Sequence, residues 1–185
     1  MPATYLTIIN AAQGLYKDKG SKFLSFAEPV ASEEEVIERL KYYRKEYHDA
    51  RHVCYAFVLG PDRKHYRSSD DGEPSGTAGK PILGQLESRL LTNTLVVVVR
   101  YFGGILLGTG GLVVAYRTAA AEALDNATIL EKEPTVRKII RFPYEDMNRV
   151  MKVLKDADAD ILKQDWQDGM CLIECEIKQE YEQRI

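Results

Sequence analysis

The residues best suited to chemistry lie between Arg51 and Arg117. Nine of the thirteen glycines fall between Gly72 and Gly111, in two turns that each precede a helical pattern. Backbone N–H groups at a helix start, bared by a glycine turn, form an anion site. Gly76 and Gly79 belong to the first turn, and Gly103, Gly104, Gly108, Gly110 and Gly111 to the second. Arg51, Lys80, Arg100 and Arg117 flank them, with His52 beside Arg51, so the expected ligand is a polyanion such as nucleic acid. Neither turn is a nucleotide fingerprint. Gly79-Lys80 is followed by Pro81 instead of Ser or Thr and lacks the upstream glycine, and Val113 stands where a dinucleotide motif requires glycine.

The remaining reactive side chains do not assemble into a catalytic set. Asp70, Asp71 and Glu73 could hold a divalent cation, but no further carboxylate cluster or histidine joins them, so they read as a solvated loop facing a partner or a metal. His48 and His52 are four apart, yet Asp49 follows the first histidine where a metalloprotease helix needs glutamate, and the helix is ending. Cys54 shares a strand face with His52 but sits in an apolar run, where a free thiol is packing. Cys171 and Cys175 are separated by four strand rises of about 3.4 Å each, too far for a disulfide or a shared ion. No catalytic residue, metal ligand or cofactor is therefore assigned. A hydrolase using the carboxylates or the Cys54/His52 pair lacks a nucleophile, base and orienting group in one place.

These residues need elements to position them. Tyr5 to Asn10 and Ser21 to Val30 read as strands, separated by Gly14 to Gly20 with its lysines. Ser32 and Glu35 form a capping box, after which Val36, Leu40, Tyr43 and Tyr47 recur at helical spacing. Val53 to Leu59 is a strand, and Gly60-Pro61-Asp62 turns the chain into a shorter one at His65 to Ser68. The loop Ser69 to Lys80 leads into a helix starting at Pro81. Leu95 to Val99 lacks alternation, the mark of a central strand buried on both faces. Leu112 to Asn126 is a helix whose alanines allow close packing. After a polar break at Glu131 to Pro134 come a strand (Val136 to Tyr144), an amphipathic helix (Met147 to Leu154) and a hairpin turning at Asp168-Gly169. The expected architecture is α+β in two domains, 1–131 and 135–185, each a sheet with helices on one face. The second is β-α-β-β, a ferredoxin-like order expected to be cut short at Ile185.

Composition narrows the class. The 185 residues are 45% hydrophobic and 29% charged, with formal net charge −3, so the chain does not coat nucleic acid by bulk charge. Between Arg51 and Arg117, eight basic residues outnumber five acidic ones. No apolar run reaches the ~20 residues of a membrane span, the N-terminus lacks a signal-peptide pattern, and three cysteines make no disulfide framework. The expected compartment is the cytoplasm, with no membrane partner.

Four ordered blocks resemble the IMPACT/YigZ family: Arg51-His52-Val53-Cys54-Tyr55-Ala56; Asp70 through Leu83; Arg100-Tyr101-Phe102-Gly103-Gly104; and Leu107 through Leu112 with Ala115-Tyr116. The match covers nearly all of the first domain. It resembles the short bacterial members, which lack the RWD domain of the eukaryotic ones. The resemblance implies a first domain like the second domain of a small-subunit ribosomal protein and domain IV of elongation factor G, and a C-terminal domain like domain V of that factor. Those relatives work against RNA on the ribosome, and eukaryotic IMPACT regulates translation by competing for the activator of a starvation-response kinase. The expected function is regulation of translation or stress response through RNA, the ribosome or a translation-associated protein. A pure protein-interaction module is the alternative.

Overall fold

The computed structural model describes residues 4–184. The chain forms two compact units, one spanning Tyr5–Lys132 and one running from Glu133 onward. The first holds an antiparallel five-stranded sheet in the order β2-β3-β6-β4-β5. Its strands are β2 (Ala12–Asp18), β3 (Ser21–Pro29), β4 (His52–Leu59), β5 (His65–Ser69) and β6 (Thr94–Tyr101). A separate antiparallel pair joins β1 (Tyr5–Ile8) to β7 (Ile129–Lys132). The helices are α1 (Glu33–Glu46), α2 (Gly79–Ser88) and α3 (Gly108–Asp125).

The unbroken apolar run of β6 organises this unit. Leu95, Val97 and Val99 pack with Val36, Leu40 and Tyr43 of α1, whereas Val96 and Val98 pack with Ile82 and Leu86 of α2 and the buried alanines of α3. These five residues, Leu95 to Val99, are fully buried, each worth roughly 1.5–3 kcal/mol relative to exposure. Helices thus cover both faces of the sheet, which corrects the expectation of one covered face. A strand apolar at consecutive positions has two faces to bury.

Local signals account for most boundaries. The Glu35 N–H donates to Ser32 Oγ at 3.2 Å, and the Glu35 carboxylate accepts from the Ala31 N–H at 2.8 Å. The capping box therefore reaches back one residue further than its usual form. The segment Gly14 to Gly20, expected as a break, is mostly β2, and the turn is confined to Lys19-Gly20 at φ 47° and 81°. Gly14 serves instead for close approach: a Cβ there would lie 2.6 Å from the backbone nitrogen of Ala123 in α3. Both glycine turns hand over to helix earlier than expected. α2 starts at Gly79, and Gly108, Gly110 and Gly111 lie in the first turn of α3.

The second unit contains β8 (Thr135–Pro143), α4 (Met147–Asp156), β9 (Asp160–Gln167) and β10 (Met170–Lys178), with sheet order β8-β10-β9, all antiparallel. Asp168 and Gly169 take φ of 52° and 77° in the hairpin turn, as a primed turn requires. Phe142, Leu154, Cys171, Ile173, Cys175 and Ile177 form its core. A short 3₁₀ segment, Gln179–Arg184, follows.

Candidate functional site

The acidic loop after β5 turns inward. Asp70 accepts from the N–H groups of Gly76 (2.9 Å), Ala78 (3.1 Å) and Gly79 (2.8 Å). Burial alone would raise its carboxyl, but the N–H groups of Gly76, Gly79 and Ala78, helped by the charge of Lys80, outweigh that and hold it below the usual carboxylate range. The anion site expected at the start of α2 is therefore filled by the chain's own carboxylate. Asp71 accepts from the Val53 N–H at 2.7 Å, and its carbonyl lies 2.7 Å from His52 Nδ1. A carbonyl can only accept, so Nδ1 carries the proton. Nε2 points toward Glu73 Oε1 at 3.7 Å.

Glu73 is the centre of this cluster. Its Oε1 accepts from Arg100 Nη1 at 2.6 Å and from the Tyr116 hydroxyl at 2.7 Å, and all three side chains are buried. The Cys54 thiol donates to the Asp70 carbonyl at 3.0 Å. Burial, opposed by Tyr116 but reinforced by the carboxylates of Glu73, Asp71 and Asp70, pushes that thiol above its ordinary range, the reverse of what a nucleophile needs. The solvated-loop expectation for Asp70, Asp71 and Glu73 is corrected: each carboxylate serves the protein's own donors, Asp70 at the start of α2, Asp71 on β4 and Glu73 on β6 and α3. Arg100 is corrected too, being 5% exposed and packed over the rings of Phe23 and Phe102. No group of histidines, cysteines and carboxylates among the described residues could hold a metal ion.

A different surface retains free donors and charge. The backbone of Gly103 lies so close to Gly20 and Ser21 that a Cβ could not be inserted, and its N–H donates to Ser21 Oγ at 3.2 Å. This contact joins the β2–β3 turn to the loop after β6. Lys22 pairs with Tyr101 across the sheet, and the Arg51 guanidinium stands 5.1 Å over the exposed ring of Phe102. Lys17, Lys19, Lys22 and Arg51 are all exposed here, with Asp18 and Asp49 as the acids of the same end. Asp49 accepts from the Tyr101 hydroxyl at 2.9 Å, and burial followed by that bond pushes Tyr101 up to about 12. The loop continues through Gly104, Ile105 and Leu106, all exposed, to the start of α3. There no side chain caps the helix and no acid occupies the first turn. Gly108 and Gly110 meet nothing within 4 Å where a Cβ would stand.

Arg51 thus meets the loop after β6 at Phe102, and that loop carries Gly103 and Gly104 and leads to Gly108, Gly110 and Gly111 at the start of α3, while Gly76, Gly79 and Arg100 are committed elsewhere. Lys80 is exposed beside the Asp70 cluster. Arg117 is exposed on α3, roughly 14 Å along the axis from Gly108 at 1.5 Å per residue. The lysines of the β2–β3 turn stand at this end as well. Their signal in the sequence, Lys17, Lys19 and Lys22 around one glycine, lies upstream of the glycine-rich stretch from Arg51 to Arg117.

The first unit matches the family model described as "Impact N-terminal domain" over residues 19–124. The IMPACT family member YigZ of Escherichia coli (strain K12) is 37% identical over 169 residues, which are 90% of this chain and 80% of that protein. Protein IMPACT of Oryctolagus cuniculus is 38% identical over 96 residues, 49% of this chain and 30% of that protein. A crystal structure described only as that of a hypothetical protein superposes at a TM-score of 0.78 with 34% identity, covering 99% of this chain and 89% of the other. The chain belongs to the IMPACT family.

Proposed function

We propose that the protein acts by binding RNA, on or off the ribosome, at the sheet end formed by the β2–β3 turn, Arg51 and the loop Phe102 to Gly111. The observation that carries this reading is that the β2–β3 turn, with Lys17, Lys19 and Lys22, and Arg51 both meet the loop after β6, which runs on to the uncapped start of α3. Cations and open N–H groups suit phosphates, and the exposed ring of Phe102 under Arg51 suits stacking on an unpaired base. The family resemblance directs this activity to translation or its regulation. Catalysis is disfavoured because the thiol is buried with a raised pKa and the carboxylates are consumed by structural donors. One observation favours a protein partner instead: Ile105 and Leu106 stand 54% and 81% exposed at the same end.

Fluorescence anisotropy with a single-stranded RNA oligonucleotide at low salt tests the reading. The Lys19→Glu/Arg51→Glu variant should lose most binding, and Lys152→Glu/Lys155→Glu on α4 should keep it. Absence of salt-sensitive association with RNA and with ribosomes replaces the reading by the protein partner.

A further inference from the structure

The second unit leaves a strand edge open. β8 and β9 are the two outer strands of the order β8-β10-β9, and β9 is the one whose residues, Asp160 to Gln167, are all exposed. On the helix side, Leu154 is the one residue that α4 fully buries, while Ile161, Leu162 and Trp166 of β9 remain about half exposed. Such an edge is a template for another strand, and proteins commonly blunt it with a lysine or a bulge. Both devices occur here, Lys163 and a register shift at Leu162. Asp165, however, supplies the complement to that lysine.

The backbone shows which groups face out. The Trp166 N–H donates to the Asp165 carboxylate at 2.8 Å, so it is turned away from β10. Orientation alternates along an antiparallel strand, so Gln164 also presents its N–H and C=O to the open edge. Lys163 and Asp165 turn theirs to β10, opposite Glu174 and Leu172. We propose that β9 pairs with β9 of a second copy of this chain, antiparallel, with Gln164 opposite its own counterpart. In that register Trp166 matches the partner copy's Leu162. Lys163 lies opposite Asp165 twice, at the non-hydrogen-bonded positions where side chains stand closest. The adjacent registers of the same parity are penalised: one sets Lys163 opposite Lys163, the other Asp165 opposite Asp165. One strand, DILKQDWQ, is therefore complementary to itself in a single register.

Sedimentation of the full chain provides the test. The native sequence should show a concentration-dependent dimer. Asp165→Lys and Lys163→Asp should each weaken it by at least about tenfold, since each turns two attractive pairs into repulsive ones. Mixed in equal amounts, the two variants should form a heterodimer, because both cross-strand pairs become attractive again. Circular dichroism checks that each variant is folded. If Lys163→Asp does not fold beside Glu174, Asp165→Lys against the native chain still decides, as its intrachain neighbour is Leu172. A native chain that stays monomeric at millimolar concentration overturns the proposal and leaves the edge to a strand of another protein. Unchanged association of Asp165→Lys also overturns it.

Discussion

Removing the carboxylate of Glu73 should damage the first unit more than any surface change. Glu73→Ala leaves the Arg100 guanidinium buried without its counter-charge, having lost the 2.6 Å bond to Glu73. Breaking one side of a buried pair costs about 3–5 kcal/mol. The Tyr116 hydroxyl loses its 2.7 Å acceptor in the same step, a loss of about 1–3 kcal/mol alone, but the two share one oxygen and do not add. With a urea m-value of about 2 kcal/mol/M, the midpoint should fall by roughly 2 M. Near-UV circular dichroism of the tyrosines, nine of which lie between Tyr5 and Tyr116, follows the transition. The decisive comparison is Glu73→Leu/Arg100→Met, which removes both charges and should be more stable than Glu73→Ala, since replacing a buried pair by apolar groups is often close to neutral. If the double variant is as unstable as the single one or worse, the stranded charge is not the origin of the loss.

Other outcomes follow from the same geometry. Gly103→Ala should destabilise by several kcal/mol or dislodge the loop, because its Cβ meets the backbone of Gly20 and Ser21, whereas Gly110→Ala should be neutral or stabilising by up to about 1 kcal/mol; paired urea titrations check this. Asp70 has a lowered folded-state pKa, so its contribution is present above the ordinary value of 3.8 and lost as pH falls through the folded value. Asp70→Asn should accordingly flatten the decline of stability below about pH 4, measured as urea midpoint against pH. Cys54, Cys171 and Cys175 are buried, and mass spectrometry after iodoacetamide should find all three unlabelled in the native protein and labelled in denaturant.

Patterns that act through neighbouring residues were legible in the sequence. The capped start of α1, the doubly buried run Leu95 to Val99 and the Asp168-Gly169 turn all depend on spacing of a few residues. The inward turn of Asp70, Asp71 and Glu73 was not legible, because a loop's composition does not say where its carboxylates point. Asp70 caps a helix that starts nine residues later, beyond the reach of any local capping rule. Arg100 was accessible to closer reading: it continues the two-residue alternation of Val96 and Val98, which face α2 and α3. Gly14 and Gly103 read as turn formers, yet each exists for contact with a segment distant in sequence.

RNA binding at one end of the first sheet, as proposed, has a quantitative signature in its response to salt. Its most direct measurement is the salt dependence of single-stranded RNA affinity for the native chain and for Lys19→Glu/Arg51→Glu. With about four phosphates neutralised by Lys17, Lys19, Lys22 and Arg51, log affinity should fall against log salt with a slope of roughly −3. In the variant the slope should become shallower by more than about 1, with weaker binding across sequences. No binding even at low salt, or the same slope in both proteins, contradicts the claim.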